Sequence, residues 1–455
     1  MARVMIVKDL TSVRIVLSTF GSHGDVLPFI ALGAELAARG HDVSVVTSRN
    51  FEAHVIKSGL GFHALCSAER MDEVHANPHL WHPTEGLRLM FDLAVELAPT
   101  DLAVISRERA EAGARGRPFL AVAGPLSFGA RMARDAHRFP LITTYLAPFL
   151  MRSRHAPPEL PGMNLPSWLP SMAKHALQRI IEHTIVDPAR LPALNNLRRS
   201  YGLSAIGNLS DWLPSPDHLL LMAPPWFAQP QSDWPKQATQ VAFPHAGRYG
   251  NSDQLSQELH DFLNHGPAPV VITCGSSMQH GRKFFEAAAH ACAEAGQRAV
   301  LVCGRPERVA AIRVPNQLIA RYAPFGALFR RSKAVIHHGG IGTCSDAFAA
   351  GIPQIVVPNG FDQGDNAERI AKLGLGSRLN HEDLSEAGAD ILARILADSA
   401  MAKACARVRE LCAGRDGIAD ACDLIEAAAR REPAPPNRLS RPSTNPSRPH
   451  AMSEH

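Results

Sequence analysis

No apolar run in this 455-residue sequence reaches the ~18 residues that cross a bilayer, and the opening stretch MARVMIVKDLTS has no long apolar core or small-residue cleavage site. A cytoplasmic protein is the expectation. The eight cysteines, Cys66, Cys274, Cys292, Cys303, Cys344, Cys405, Cys412 and Cys422, include no CxxC pair and mostly interrupt apolar runs. That pattern excludes a zinc ribbon or disulfide framework and suits buried, reduced thiols. Formal net charge is only +4, with basic and acidic residues interspersed, so no basic stripe offers itself to nucleic acid. No DxD pair presents neighbouring carboxylates to a divalent cation, and neither GxGxxG nor GxxxxGKS/T occurs, so a dinucleotide fingerprint and a P-loop are both excluded.

What is present is a soluble, core-forming composition, 45% hydrophobic and 20% charged, over a length that suits two domains plus extra segments. VRIVLS (13–18), a Gly-rich turn, an apolar-periodic stretch to Arg39 and DVSVVT (42–47) read as strand, helix, strand. FLAVAG and PLITTY continue the alternation to about Tyr145. Residues 157–235 turn rich in proline and tryptophan around a helix near Ser171 to Val186 and a strand HLLLMA (218–223). Alternation resumes with PVVITCGSS, QRAVLVCG, NQLIARY, KAVIHHGG and PQIVVP. The expected fold is α/β: two doubly wound, parallel-sheet, Rossmann-like domains facing one another across a cleft. The boundaries are 1–225 for the first, 226–240 for a linker and 241–430 for the second, whose last helix is a candidate to cross back. Residues 431–455, rich in Pro, Ser, Asn and Arg, are expected to be a disordered tail.

The strongest local signal is AVIHHGGIGTCSDAFAAGIPQIVVP, where a strand ends at His337 and His338 and a helix begins near Gly342 and Thr343. Glycines such as Gly340 and Gly342 allow close approach of the main chain, and a helix N-terminus supplies unpaired N–H donors and partial positive charge. A diphosphate fits such a turn without any metal, and His338 is placed to add a donor. His337 reads as a cleft or core histidine, and Asp365 and Asn366 as caps of the following helix.

Tyr322-Ala323-Pro324, His338 to Thr343 and Asp362-Gln363 stand in order. Together they resemble the donor signature of the GT-B glycosyltransferases, which include plant and macrolide sugar transferases. The resemblance implies that Tyr322 stacks on the nucleobase, Ala323 contacts it through its backbone, Asp346 faces the ribose, and Asp362 with Gln363 bonds sugar hydroxyls. Ser276 and Ser277, after the strand PVVITCG, are placed to meet the diphosphate. No metal or other cofactor is expected; the co-substrate is a nucleotide sugar.

After the first strand, TFGSHGDVLPF delivers His23 and Asp25 to the carboxyl edge of the sheet. Attack by an alcohol on an anomeric carbon needs a proton acceptor, and either side chain is chemically suitable. Gly24-Asp25-Val26 resembles the bacterial version of the family loop, which favours Asp25, with His23 as the alternative. The bland reading is that Asp25 only caps the next helix.

A closer resemblance, carried by APPWFAQPQSDWP, RYAPFGALF, FGSHGDVLPFIALGAELAARGHDVS, PHLWHPTEG and DQGDNAERIAKLGLGSRL, is to the rhamnosyltransferases of rhamnolipid synthesis. It implies dTDP-L-rhamnose as donor, a 3-(3-hydroxyalkanoyloxy)alkanoic acid as acceptor, inversion at the anomeric carbon, and a monorhamnolipid product. It also raises peripheral contact with the inner face of the cytoplasmic membrane and a functional partner that supplies the lipid. The His337-His338 doublet stands where members can carry a single His, which leaves open which imidazole meets the phosphate. The alternatives are a UDP- or dTDP-sugar transferase acting on a macrolide, sterol or other hydrophobic aglycone, or an epimerase or non-catalytic partner of the same fold.

Overall fold

A computed structural model describes residues 12–82, 84–160, 168–245, 254–275 and 281–430. Short runs of β-branched and leucine residues form its strands, and most are buried on both faces, as parallel strands covered by helices must be. Among the described residues the first sheet comprises β1 (Arg14–Ser18), β2 (Asp42–Thr47), β3 (Gly61–Ala64), β4 (Phe119–Ala123), β5 (Leu141–Tyr145), β6 (His218–Leu221) and β7 (Ala238–Gln240). The second comprises β8 (Val270–Thr273), β9 (Ala299–Val302), β10 (Gln317–Ala320), β11 (Ala334–His337), β12 (Gln354–Val356) and β13 (Gly376–Arg378). Both are wholly parallel, in the orders β3-β2-β1-β4-β5-β6-β7 and β10-β9-β8-β11-β12-β13. This is the expected α/β architecture of two doubly wound units.

Strand order reverses between β1 and β4 in one sheet and between β8 and β11 in the other. Those reversals open crevices beyond the carboxyl ends of the strands, where open parallel sheets bind ligands. A buried carboxylate steadies the first crevice. Asp101, from the long helix Glu85–Ala114, accepts from Ser18 Oγ and from the Ala130 backbone N–H, both at 2.8 Å. It thereby ties the end of β1 to the first turn of helix Phe128–His137.

The boundary at 226–240 needs correction. That stretch ends in β7, which pairs with β6 as the outer strand of the first sheet, so it is not only a linker. Helix Gly417–Ala429 leaves the second unit and packs on helix His23–Ala38. Ile418, Ala421, Cys422 and Ile425 join the first unit's core there, and Arg39 and His41 meet Asp423 and Glu426. A further apolar cluster, including Tyr145, Leu221, Phe227, Phe243, Phe348, Val356 and Ile370, is shared by both units. Five of the eight cysteines are buried and all are free thiols. The tail at 431–455 lies outside the described residues.

Candidate active site

The first half of the site begins where β1 ends. Thr19 to Ser22 turn the chain, and helix His23–Ala38 starts with Ser22 as its N-cap. Asp25, at the third helical position, accepts from the Ser22 backbone N–H at 2.8 Å and from Ser22 Oγ at 2.9 Å, which completes a capping box. Capping is therefore part of what Asp25 does. Gly21, at φ +131°, makes this possible, since a Cβ there would sit 2.5 Å from Asp25 Oδ2.

Asp25 is solvent-exposed, yet the protein around its carboxyl raises its pKa by desolvation, against the Ser22 hydrogen bonds and the charge of His75, which lower it. His23 packs on neighbouring rings. Its ring meets Phe51 at 5.1 Å and His54 at 6.1 Å between centroids, and burial, His54 and His75 lower its pKa.

The second half is built on the β8–β11 crevice. Helix Ile341–Ala350 starts at Gly340, with no side chain capping its N-terminus and no acid in its first turn. Its leading N–H groups and positive dipole end therefore suit an anion. Gly342 is open to solvent, Thr343 is buried, and Asp346 is half-buried in the second turn. His338, just past β11, is almost fully buried and wedged between Gly275 and Gly340. A Cβ would lie 2.8 Å from its ring at Gly275 and 2.5 Å from its Nε2 at Gly340. Burial lowers its pKa to about 4, so the ring is neutral, and its Nδ1 has no hydrogen-bond partner among the described residues.

His337 is different. Its Nδ1 accepts from the Gly339 backbone N–H at 3.2 Å, which leaves Nε2 to donate to Gln354 Oε1 at 3.0 Å. Both ring nitrogens are occupied, so His337 is a core histidine and His338 is the one that borders the crevice. Replacing His337 with Leu should cost about 2–4 kcal/mol of stability, because Gly339 N–H and Gln354 lose their partner in a dry core. Chemical denaturation measures this.

Asp362 and Gln363 follow β12. Gln363 Oε1 accepts from the backbone N–H groups of Asn359 at 2.8 Å and Gly360 at 3.3 Å, which fixes the loop. Asn366 bonds both Gly339 O at 2.9 Å and Asp362 Oδ2 at 2.7 Å. It joins the glycine turn to the acidic residue, and Asp362 itself occupies the N-cap position, so Asn366 is no helix cap. Asp365 instead bonds the Glu159 backbone N–H at 3.0 Å and pairs with Arg369, which ties residue 159 to the second unit. Burial, and then the charge of Asp25, push Asp362 up to about 7, against the bond from Asn366. The carboxylates of Asp25 and Asp362, from opposite units, thus face a common space.

Phe361 has the left-handed φ of +56° and sets its ring edge-on to Trp81 of the first unit, 5.7 Å between centroids. Such a conformation in a bulky residue costs of order 1–3 kcal/mol and persists where surroundings over-determine it. Here it locks the Asp362 loop against the other unit. Tyr322 presents its ring at the surface just past β10, 57% exposed, while Ala323 is buried behind it. Ser276 and Ser277 lie outside the described residues. Gly275 and Phe361 carry no signal in the sequence, and Asn366 only that of a helix cap, because their parts depend on close approaches that only the fold creates.

Two parallel sheets with an acid at one switch point and a capless, glycine-entered helix at the other define the GT-B class of transferase. Residues 15–105 match the glycosyltransferase family 28 N-terminal domain, and residues 293–422 the erythromycin biosynthesis protein CIII-like C-terminal domain. The chain is 31% identical to the O-mycaminosyltylonolide 6-deoxyallosyltransferase of Streptomyces fradiae, over 91% of this chain and 97% of that one. It is 30% identical to glycosyltransferase GtfE of Amycolatopsis orientalis, over 93% and 100%. The chain belongs to this family of nucleotide-sugar glycosyltransferases. Among solved structures, the calicheamicin glycosyltransferase CalG4 shares the fold at TM-score 0.68 and 22% identity, covering 93% of this chain and 99% of that one. The spinosyn rhamnosyltransferase SpnG does so at 0.60 and 20%, covering 91% and 100%.

Proposed function

We propose that the protein transfers L-rhamnose from dTDP-L-rhamnose to the hydroxyl of a 3-(3-hydroxyalkanoyloxy)alkanoic acid, with inversion and without a metal ion. The observation that carries the transfer reading is Asp25 and the uncapped helix at Gly340 on opposite sides of one cleft. Asp25 takes the acceptor's hydroxyl proton as its oxygen bonds the anomeric carbon. The bond from that carbon to the diphosphate breaks, and the electron pair leaves on the diphosphate. Donors at the helix N-terminus and His338 stabilise the charge as it builds, which lowers the barrier rather than only tightening the ground state. Tyr322 holds the base, Asp346 the ribose, and Asp362 with Gln363 the sugar.

The rhamnolipid acceptor rests on the sequence resemblance. The full-length similarity to the tylonolide deoxyallosyltransferase supports the other reading, a dTDP-deoxysugar donor with a macrolide aglycone. Mass spectrometry of products from dTDP-L-rhamnose with hydroxyalkanoyloxy acids, beside dTDP-deoxysugars with macrolactones, separates them. Turnover with the macrolactone alone would reject the lipid acceptor, and a changed free sugar without acceptor would mark an epimerase.

The cleft carboxylates make the reaction pH-dependent. With Asp362 titrating at about 7, kcat/KM for donor should rise up to that pH and level off above it, because the ionised form accepts the sugar hydroxyls. The same raised pKa means the protonated folded state is favoured, so this group's stability contribution is present below about 4 and lost as pH rises through about 7. Initial rates and thermal melts across pH 5 to 9 test both, and Asp362→Asn should flatten the melts and leave in the rate profile only the ascending limb set by Asp25, whose pKa is also raised.

A further inference from the structure

Between the two cleft carboxylates runs a short piece of the first unit. Helix Ala68–Ala76 carries His75, whose charge is felt at Asp25, and the next turn, Pro78–Trp81, meets the loop that carries Asp362. The turn is held firmly. Asn77 Oδ1 accepts from the His79 backbone N–H at 2.9 Å, and Leu80 is buried in the first unit's core. Gly86, in the first turn of the long helix, comes so close that a Cβ there would collide with Leu80 O and stand 3.4 Å from Phe361 Cζ. The Phe361 ring thus rests against both Gly86 and Trp81, while a Cβ on Gly360 would lie 3.7 Å from Trp81 O. Trp81 is therefore fixed from both units, against the residue next to Asp362.

The indole's one polar atom is what this packing leaves unexplained. Trp81 Nε1 is buried, yet among the described residues nothing accepts its hydrogen. An indole N–H can only donate, and a buried donor without an acceptor is unfavourable until a ligand oxygen meets it. On the other side of the cleft His338 Nδ1 and Asn366 Oδ1 are buried and unpartnered in the same way. We propose that Trp81 reads the donor's sugar: its indole N–H donates to a ring hydroxyl of the hexose that Asp362 and Gln363 hold from the other unit. The assignment rests on the transfer reading given above and deepens it. The sugar is gripped by both halves of the enzyme, and the half that supplies Asp25 also supplies Trp81. A site that keeps a buried donor for one hydroxyl discriminates most strongly against sugars that lack it, because the N–H is then left unpaired.

Calorimetric titration of the full chain with thymidine diphosphate and with dTDP-L-rhamnose, in wild type and Trp81→Phe, tests the assignment. Phenylalanine keeps an aromatic ring against Phe361 and removes the N–H. Affinity for the sugar nucleotide should fall about tenfold, with thymidine diphosphate affinity and acceptor KM unchanged. Deoxy analogues of the donor, each lacking one hydroxyl, locate the contact. One of them should bind wild type about tenfold more weakly than the parent donor, and Trp81→Phe should no longer tell the two apart. Phe361→Gly is the second variant: glycine keeps the left-handed backbone but releases Trp81, so it should weaken the sugar nucleotide more than thymidine diphosphate. If wild type turns over a different sugar nucleotide, the donor assignment fails and the same comparison with that sugar still decides the role of Trp81. No loss in Trp81→Phe, as expected were the N–H spent on the face of the Phe361 ring, would overturn that role. So would an equal loss for both nucleotides, or a change confined to acceptor KM.

Discussion

Asp25→Asn is expected to lower turnover by ~10²–10⁴-fold, the range for losing a general base, while thymidine diphosphate binds within a few-fold of the wild-type affinity. The substitution is well isolated. Ser22 N–H and Ser22 Oγ both donate to the same oxygen, Oδ2, so an amide oxygen in its place keeps the capping box and the start of helix His23–Ala38. The helix and the melting temperature should survive, and only the proton acceptor is lost. A second readout follows from the charge of Asp25 felt at Asp362: its removal should move the ascending pH limb below about 7. His23→Ala is the companion test. With its ring on Phe51 and His54, His23 should give a much smaller loss. Unchanged turnover in Asp25→Asn with a collapse in His23→Ala would transfer the role to His23.

How much of this was legible depended on whether a residue's part is local. VRIVLS, FLAVAG, PLITTY and KAVIHH are apolar and β-branched enough to be read as covered strands, and they are β1, β4, β5 and the strand ending at His337. β3, β7 and β13 are only three or four residues long, and Gly-Phe-His-Ala, Ala-Thr-Gln and Gly-Ser-Arg have no apolar run; all three are edge strands, where one side needs no cover. The glycine turn was legible because a strand, glycines and a helix start follow one another in sequence. Gly275 is 63 residues from His338, Asn366 is 27 from Gly339, and Phe361 meets Trp81 across 280 positions. Such meetings leave no periodicity. The helix near Ser171 was visible by its spacing, but the burial of Gln178 and Glu182 on it was not, since a hydrophobic stripe has the same spacing whichever way it faces.

His338→Ala is expected to lower kcat by ~10²–10³-fold, the usual loss when one pre-set donor to developing negative charge is removed, and to weaken donor binding with it. The ring is suited to the task because it is neutral with its pKa near 4, so it offers an N–H without the cost of a buried cation. Among the described residues its Nδ1 is unpartnered, so deletion breaks no hydrogen bond there. Stability should therefore change far less than in His337→Leu, where Gly339 and Gln354 are orphaned. Gly340→Ala supplies an independent approach to the same group. Its φ of −61° accepts alanine without backbone strain, yet the added Cβ would stand 2.5 Å from His338 Nε2 and must displace the ring. It should reproduce the loss in donor binding and rate with the imidazole still present. Steady-state kinetics with each substrate varied in turn makes the decision: a fall confined to acceptor KM in both variants would remove His338 from the diphosphate grip.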